Sequence, residues 1–175
     1  MSNPPVGRPG ANEYAAEFGK YIELVPDGDI LSLLTSQLAE LLKLLSGLSA
    51  QQSLVHHAPY TWSIRQVVGH MSDCERVFGY RALRFARNDT TPLATFDETA
   101  FMQAANFDRW PLEELLREFE HVRRSNLLLL AHLEPQAWQR AGVALDHPAT
   151  VRAMAYVMAG HVKHHLDILR RRLGA

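Results

Sequence analysis

The sequence predicts an all-α domain, a four-helix bundle with a long crossover between its second and third helices. Three observations predict it. Apolar residues recur at helical spacing over four long stretches, a side chain able to cap a helix stands ahead of each stretch, and the long connection 88–110 separates the second stretch from the third. No stretch reads as a convincing strand, and nothing repeats at a fixed period.

Residues 1–26 carry Pro4, Pro5, Pro9 and Pro26 with little periodicity, which predicts an extended N-terminal arm ahead of a single domain, 27–175. Asp27 or Asp29 then caps a helix running to about Ser46. Its Ile30, Leu33, Leu34, Leu38, Leu41, Leu42 and Leu45 share one face, and Gly47 ends it. A polar loop with Pro59 leads to the second helix. There Ser63 and Gln66 form a capping-box pattern, and the core stripe is Ile64, Val67, Met71, Cys74, Phe78 and Phe85, out to about Arg87. The connection 88–110 has room for a short helix from Asp97 to Ala105. Pro111 stands where first-turn prolines stand, Asp108 is placed to cap, and Leu112 to Leu133 make the third helix. "EPQAW" reads as a turn and "AGVALDHPA" as a loop, after which Thr150 caps the last helix, Val151 to about Arg172. Four long amphipathic helices of this kind make a bundle.

A hydrophobic content of 47% and a charged content of 21% are those of a soluble globular protein. A formal net charge of -1 argues against a bulk attraction to nucleic acid or to an anionic membrane. No apolar run is long enough to span a bilayer, and "MSNPPVGRPGANEY" lacks an apolar segment of signal-peptide type. The single cysteine, Cys74, excludes an intramolecular disulfide and fits a reducing, cytoplasmic setting. Arg123 and Arg124 read as part of a solvated helix face, and Arg170, Arg171 and Arg172 as complements to a helix C-terminus.

Nine histidines stand out from this composition. Written as heptads, the last helix has an inward seam of Val151, Met154, Met158, His161, His165 and Ile168. Two imidazoles therefore stand where a bundle wants leucine, and burying one without a partner costs on the order of 1–3 kcal/mol. At i and i+4 they lie about 40° apart on one face, so that two ring nitrogens can converge on one ion. His164 falls beside the seam, which makes it a surface or interface residue or a support for its neighbours. The second helix offers His70 as a third ligand, at the edge of its apolar face. Cys74 reads as a small buried hydrophobe and Glu75 as a solvated carboxylate, with ligand or base as the alternative. His56, His57, His121, His132 and His147 read as structural or solvated. Three histidines from two helices leave a coordination position open, as catalytic sites do. Imidazole donors suit Zn, Ni, Cu and Fe alike.

The stretches "TWSIRQVVGHMSDCERVFGYRALRFARND", "FDETAFMQAANFD" and "AGHVKHHLDIL" resemble the DinB-like (DinB/YfiT-like) family of metalloenzymes over Ile30 to Arg172. The resemblance implies a bundle of unusual connectivity that holds a divalent metal, zinc or nickel, on His70, His161 and His165. It also implies a homodimer acting on a small molecule through a metal-activated low-molecular-weight thiol, as an S-transferase or isomerase. Relatives often carry Gly-Gln where Asp167 and Ile168 stand here, which weakens the transfer of a specific thiol substrate and leaves that of the metal site intact. A hydrolase built on the same site is the alternative chemistry, and a non-catalytic dimeric metal-binding bundle the alternative class. Neutral charge and the lack of a basic stripe weigh against a nucleic-acid partner.

Overall fold

A computed structural model describes residues 6–144 and 146–175. Its helices are α1 (Gly19–Ile22), α2 (Ile30–Leu45), α3 (Ala50–Ser53), α4 (Ile64–Ala86), α5 (Glu98–Ala105), α6 (Leu112–Ala131) and α7 (Val151–Leu173). The long ones are α2, α4, α6 and α7, within a few residues of the stretches expected from the periodicity. Asp29 accepts from Ser32 N at 2.8 Å, Ser63 and Gln66 close their capping box, and Thr150 Oγ1 accepts from Ala153 N at 3.1 Å. Asp108 does not cap α6. Its carboxylate instead accepts from Ser63 Oγ at 2.5 Å, joining the crossover to the start of α4.

Both α2 and α4 pack against α6 and α7, so α2 and α4 stand at opposite corners. Two apolar cores fill the bundle. One joins Ile30 and Leu34 of α2, Phe78 and Phe85 of α4, Leu130 of α6 and the first turns of α7. The other joins Leu41 of α2, Val67 and Met71 of α4, Leu115 and Phe119 of α6, and Leu166 and Leu169 of α7. The α2–α7 pair therefore runs one way and the α4–α6 pair the other. Parallel neighbours cannot be joined by a tight turn, and residues 87–111 supply the return path that α4 and α6 require.

Two segments differ from the sequence expectation. "AGVALDHPA" is a hairpin rather than a loop, with β1 (Ala141–Ala144) antiparallel to β2 (His147–Thr150) and Ala141 opposite Thr150. Strands of four residues carrying Gly142 and Pro148 have too little alternation to announce themselves. Gly142 is there for packing, since a Cβ would fall 2.1 Å from the Phe85 ring.

The N-terminal arm expected over 1–26 carries helical turns at Ala11–Glu13 and Ala16–Phe18 before α1, while residues 1–5 of it lie outside the described residues. It buries Ala15, Phe18, Ile22 and Val25 in the first core. Arg152 on α7 donates to Glu13 Oε2 at 2.7 Å, as Thr150 Oγ1 does at 2.9 Å. Opposite Gly160, the backbone of α1 comes so close to α7 that a Cβ would lie 2.0 Å from Tyr21 O. Only glycine permits that contact.

Two outcomes are expected. Gly160→Ala forces α1 off α7 and costs about 1–3 kcal/mol or more in urea unfolding, with new proteolytic sensitivity around Tyr14 to Glu23. The hydrogen bonds from Arg152 hold the Glu13 carboxyl down at about 2, below the roughly 4.3 of an unfolded glutamate. The folded value is the depressed one, so this pair's stabilisation is full above about pH 4.5 and fades as pH falls towards 2. Urea midpoints of wild type and Glu13→Gln should stay apart at neutral pH and converge in acid.

Candidate metal centre

His70 reaches inward from the second turn of α4, and His161 and His165 from successive turns of α7. All three are at least nine-tenths buried. His161 Nε2 lies 3.0 Å from His70 Nε2 and 3.2 Å from His165 Nε2. They sit where the two apolar cores meet: the border falls between Met71 and Cys74 on α4, just after His70, and between Ala159 and Val162 on α7, around His161. Burial, with the neighbouring imidazoles adding to it, holds His161 and His165 well below the ordinary histidine value. Burial likewise brings His70 to about 4. All three rings are therefore neutral near pH 7.

Hydrogen bonding alone accounts poorly for this contact. A neutral ring presents one N–H or one lone pair at Nε2, and an N–H on His161 can point at only one neighbour. Three lone pairs aimed at one point instead form a tripod. Imidazoles bound at 2.0–2.1 Å in tetrahedral geometry place their nitrogens about 3.3 Å apart, near both observed separations. The donor set fits a small divalent cation.

The surroundings revise several sequence expectations. Glu75 is not solvated: its carboxylate accepts from Arg123 Nη2 at 2.8 Å and from Asn126 Nδ2 at 2.9 Å, in a pair closed to water. Arg123 is accordingly buried rather than on a solvated face, while Arg124 is exposed as expected. Asn126 reaches Glu75 across Gly79, where a Cβ would sit 2.2 Å from the amide oxygen. Arg172 is also buried. It donates to Val55 O and Trp62 O, fixing the loop whose Trp62 ring stands 4.9 Å from the His70 ring. His164 is half-buried against Tyr21 and His165 and does not join the tripod. Asp167 pairs with Lys163 and Arg170, away from the tripod. Ile168 is only half-buried, because the inward face of α7 drifts to Leu166 and Leu169 as 3.6 residues per turn overtakes a strict heptad.

A cavity of about 510 Å³ opens against His161, lined among others by Lys20, Tyr21, Cys74, Arg81 and Glu98. Burial, and then the charge of Glu98, push Tyr21 up to about 12, so its hydroxyl stays protonated. Burial also pushes the Cys74 thiol far up, which leaves it a neutral neighbour of His70. Cys74, Glu98 and His70 form a second close group, with ligand atoms within 4.8 Å of one another, but Glu98 in it is exposed. A smaller cavity of about 300 Å³ lies behind His165, beside Trp62 and Arg172.

Sequence reasoning had no signal for Tyr21 or Glu98, which come from the N-terminal segment and the crossover. Arg81 did leave one, a charge on the core stripe between Phe78 and Phe85.

Removing one partner of the buried pair strands the other's charge. Arg123→Met is expected to cost about 3–5 kcal/mol, and Glu75→Gln added to it should recover part of that loss in urea unfolding.

The DinB superfamily model matches residues 33–169. YfiT from Bacillus subtilis, described as a probable metal-dependent hydrolase with an unusual four-helix bundle topology, is 20% identical. It superposes with a TM-score of 0.69 over 96% of this chain and 94% of its own. The mycothiol-dependent maleylpyruvate isomerase is 14% identical, with a TM-score of 0.70 over 88% of this chain. The chain spans 63% of that isomerase's length. No curated protein matches it in sequence. At these identities the superpositions speak for a shared fold. The family match over most of the chain goes further: this protein belongs to the DinB superfamily.

Proposed function

We propose that the protein is a metal-dependent enzyme in which His70, His161 and His165 hold one divalent cation, zinc or nickel, beside a small-molecule cavity. The observation that carries this reading is the convergence of three buried, neutral Nε2 atoms on one point. A cation held there supplies Lewis acidity, which brings the pKa of a thiol or water presented to it towards neutral.

The chain's own residues do the rest. Trp62 backs the His70 ring, and Tyr21 lies edge-on to His161 with ring centroids 5.4 Å apart, so both rings are held in orientation. Phe18, Phe78 and Phe96 give the cavity apolar walls that limit water. On the same side, Tyr21 offers a phenolic O–H as a donor and Glu98 a carboxylate as an acceptor. Thiol-dependent transfer or isomerisation is the chemistry we assign, supported by the likeness to the mycothiol-dependent isomerase. Hydrolysis is the second reading, favoured by a likeness to YfiT that extends over nearly the whole of both chains.

Metal-loaded protein should carry about one Zn or Ni per chain by elemental analysis, and chelation should lower its melting temperature. His161→Ala should weaken metal binding more than about 100-fold, since even outer partners of a ligand cost 10–100-fold. Turnover of an electrophile only with added thiol supports transfer, and thiol-independent hydrolysis replaces it with the second reading. No affinity for either metal, with melting unchanged by chelation, overturns the enzyme.

A further inference from the structure

Two arginines of this bundle are almost fully buried, and they are treated differently. Arg123 has Glu75. Arg81, 1% exposed, has no carboxylate within ion-pair distance among the described residues. Its Nη1 has no hydrogen-bond partner there, and its Nη2 reaches only Ala94 O at 3.5 Å, the outer limit of such a bond. The Phe96 ring, 5.9 Å from the guanidinium carbon, adds a weak cation–π contact. A guanidinium does not give up its proton in a protein, so Arg81 is a buried charge without a counterion.

The position of that charge is informative. Arg81 lies on the inward stripe of α4, three turns beyond His70, and lines the cavity that His161 faces. It also borders a second cavity of about 530 Å³ with Arg76 and Arg84. Those two are already paired, Arg76 with Glu118 and Arg84 with Asp89. Of the acids around the cavity of His161, Asp97 caps α5 by accepting from Thr99 N and Ala100 N at Oδ1, Glu98 faces Cys74 and His70, and neither they nor exposed Glu17 comes within ion-pair reach of Arg81. The remaining walls combine the rings of Phe18, Phe78, Phe96 and Tyr21 with polar Lys20, Thr95 and Thr99, Lys20 being exposed where Arg81 is buried.

We propose that Arg81 anchors the carboxylate of an organic acid with an apolar body, bound in the cavity between α1, α4 and the crossover. The guanidinium edge matches a carboxylate in two parallel hydrogen bonds, and the phenyl walls take the apolar body. The far end of such a molecule points to His161. Only that last step rests on the metal-dependent reading; the anion site itself does not.

The test is calorimetric titration of benzoate, neutral benzamide and inorganic phosphate into chelated and into metal-loaded protein. Wild type should bind benzoate at least about tenfold more tightly than benzamide, a difference that one charge-assisted contact supplies. Arg81→Gln should erase the preference, and Arg81→Lys should keep only part of it. Because the site is built for a ligand, Arg81→Met should melt no lower than wild type, whereas Arg123→Met melts well below it. Equal binding of benzoate and benzamide, an Arg81→Gln variant with unchanged benzoate affinity, or a preference for phosphate each overturns the proposal. So does an Arg81→Met variant as unstable as Arg123→Met, or an equal loss on Glu17→Gln, which would make Glu17 the partner. Benzoate bound by a protein that takes no metal sinks the enzyme and leaves the anion site standing; metal bound without benzoate does the reverse.

Discussion

Three imidazole rings meet at the level where one apolar core ends and the other begins, and they meet only while α4 and α7 keep their register. A slip of one helical turn moves a side chain by about 5.4 Å, more than the whole spread of the tripod. The register is held from both sides. Glu75, Arg123 and Asn126 tie α4 to α6 a little beyond His70, and buried Gln37 of α2 donates to Ala159 O just ahead of His161. Directional bonds flank the histidines because apolar packing alone tolerates small slides.

Parallel packing of α4 and α6 has a consequence for function. The chain must travel back along the bundle, and the route it takes past α4 makes residues 95–99 one wall of the cavity facing His161. The opposite wall is α1, seated on α7 through the missing side chain of Gly160. The site is therefore bounded by four separate stretches of chain, these two together with α4 and α7. Two of them belong to no long helix and are fastened by contacts far apart in sequence: Glu13 to Arg152 and Thr150 for one, and Leu93 N to Val143 O at 3.1 Å with Asp108 to Ser63 for the other.

This division also explains what the sequence could and could not disclose. Helices, caps and the pair His161–His165 were legible because periodicity and capping are local rules, written within a dozen residues. The fold class followed from them, and His70 from its place on an apolar edge. The hairpin was not legible, since Gly142 and Pro148 serve contacts with distant parts of the chain. Nor was the N-terminal segment, whose Ala15, Phe18, Ile22 and Val25 form no clean period because they pack as irregular turns. Glu75 and Arg123 were misread for a related reason. A helix shows that a charge lies near its buried edge, but the opposite charge that completes it stands 48 residues away.

Charged and polar residues on a core stripe nonetheless share a property that sequence can flag and structure can sort. On α6, Arg123 interrupts the run Leu112, Leu116, Phe119 and Leu130, and on α4 Glu75 lies one turn past Met71. These two neutralise each other's charge, although Nε and Nη1 of Arg123 have no hydrogen-bond partner among the described residues. His70 and Arg81 on α4, with His161 and His165 on α7, also stand where leucine would pack, yet among the described residues none of them has a carboxylate partner; their contacts are one another, the Cys74 thiol, the Phe96 ring and one distant carbonyl. A fold that buries polar atoms must satisfy them or lose stability. Among the buried groups short of partners, the nitrogen tripod and the Arg81 guanidinium border one cavity, and a ligand with complementary ends answers both.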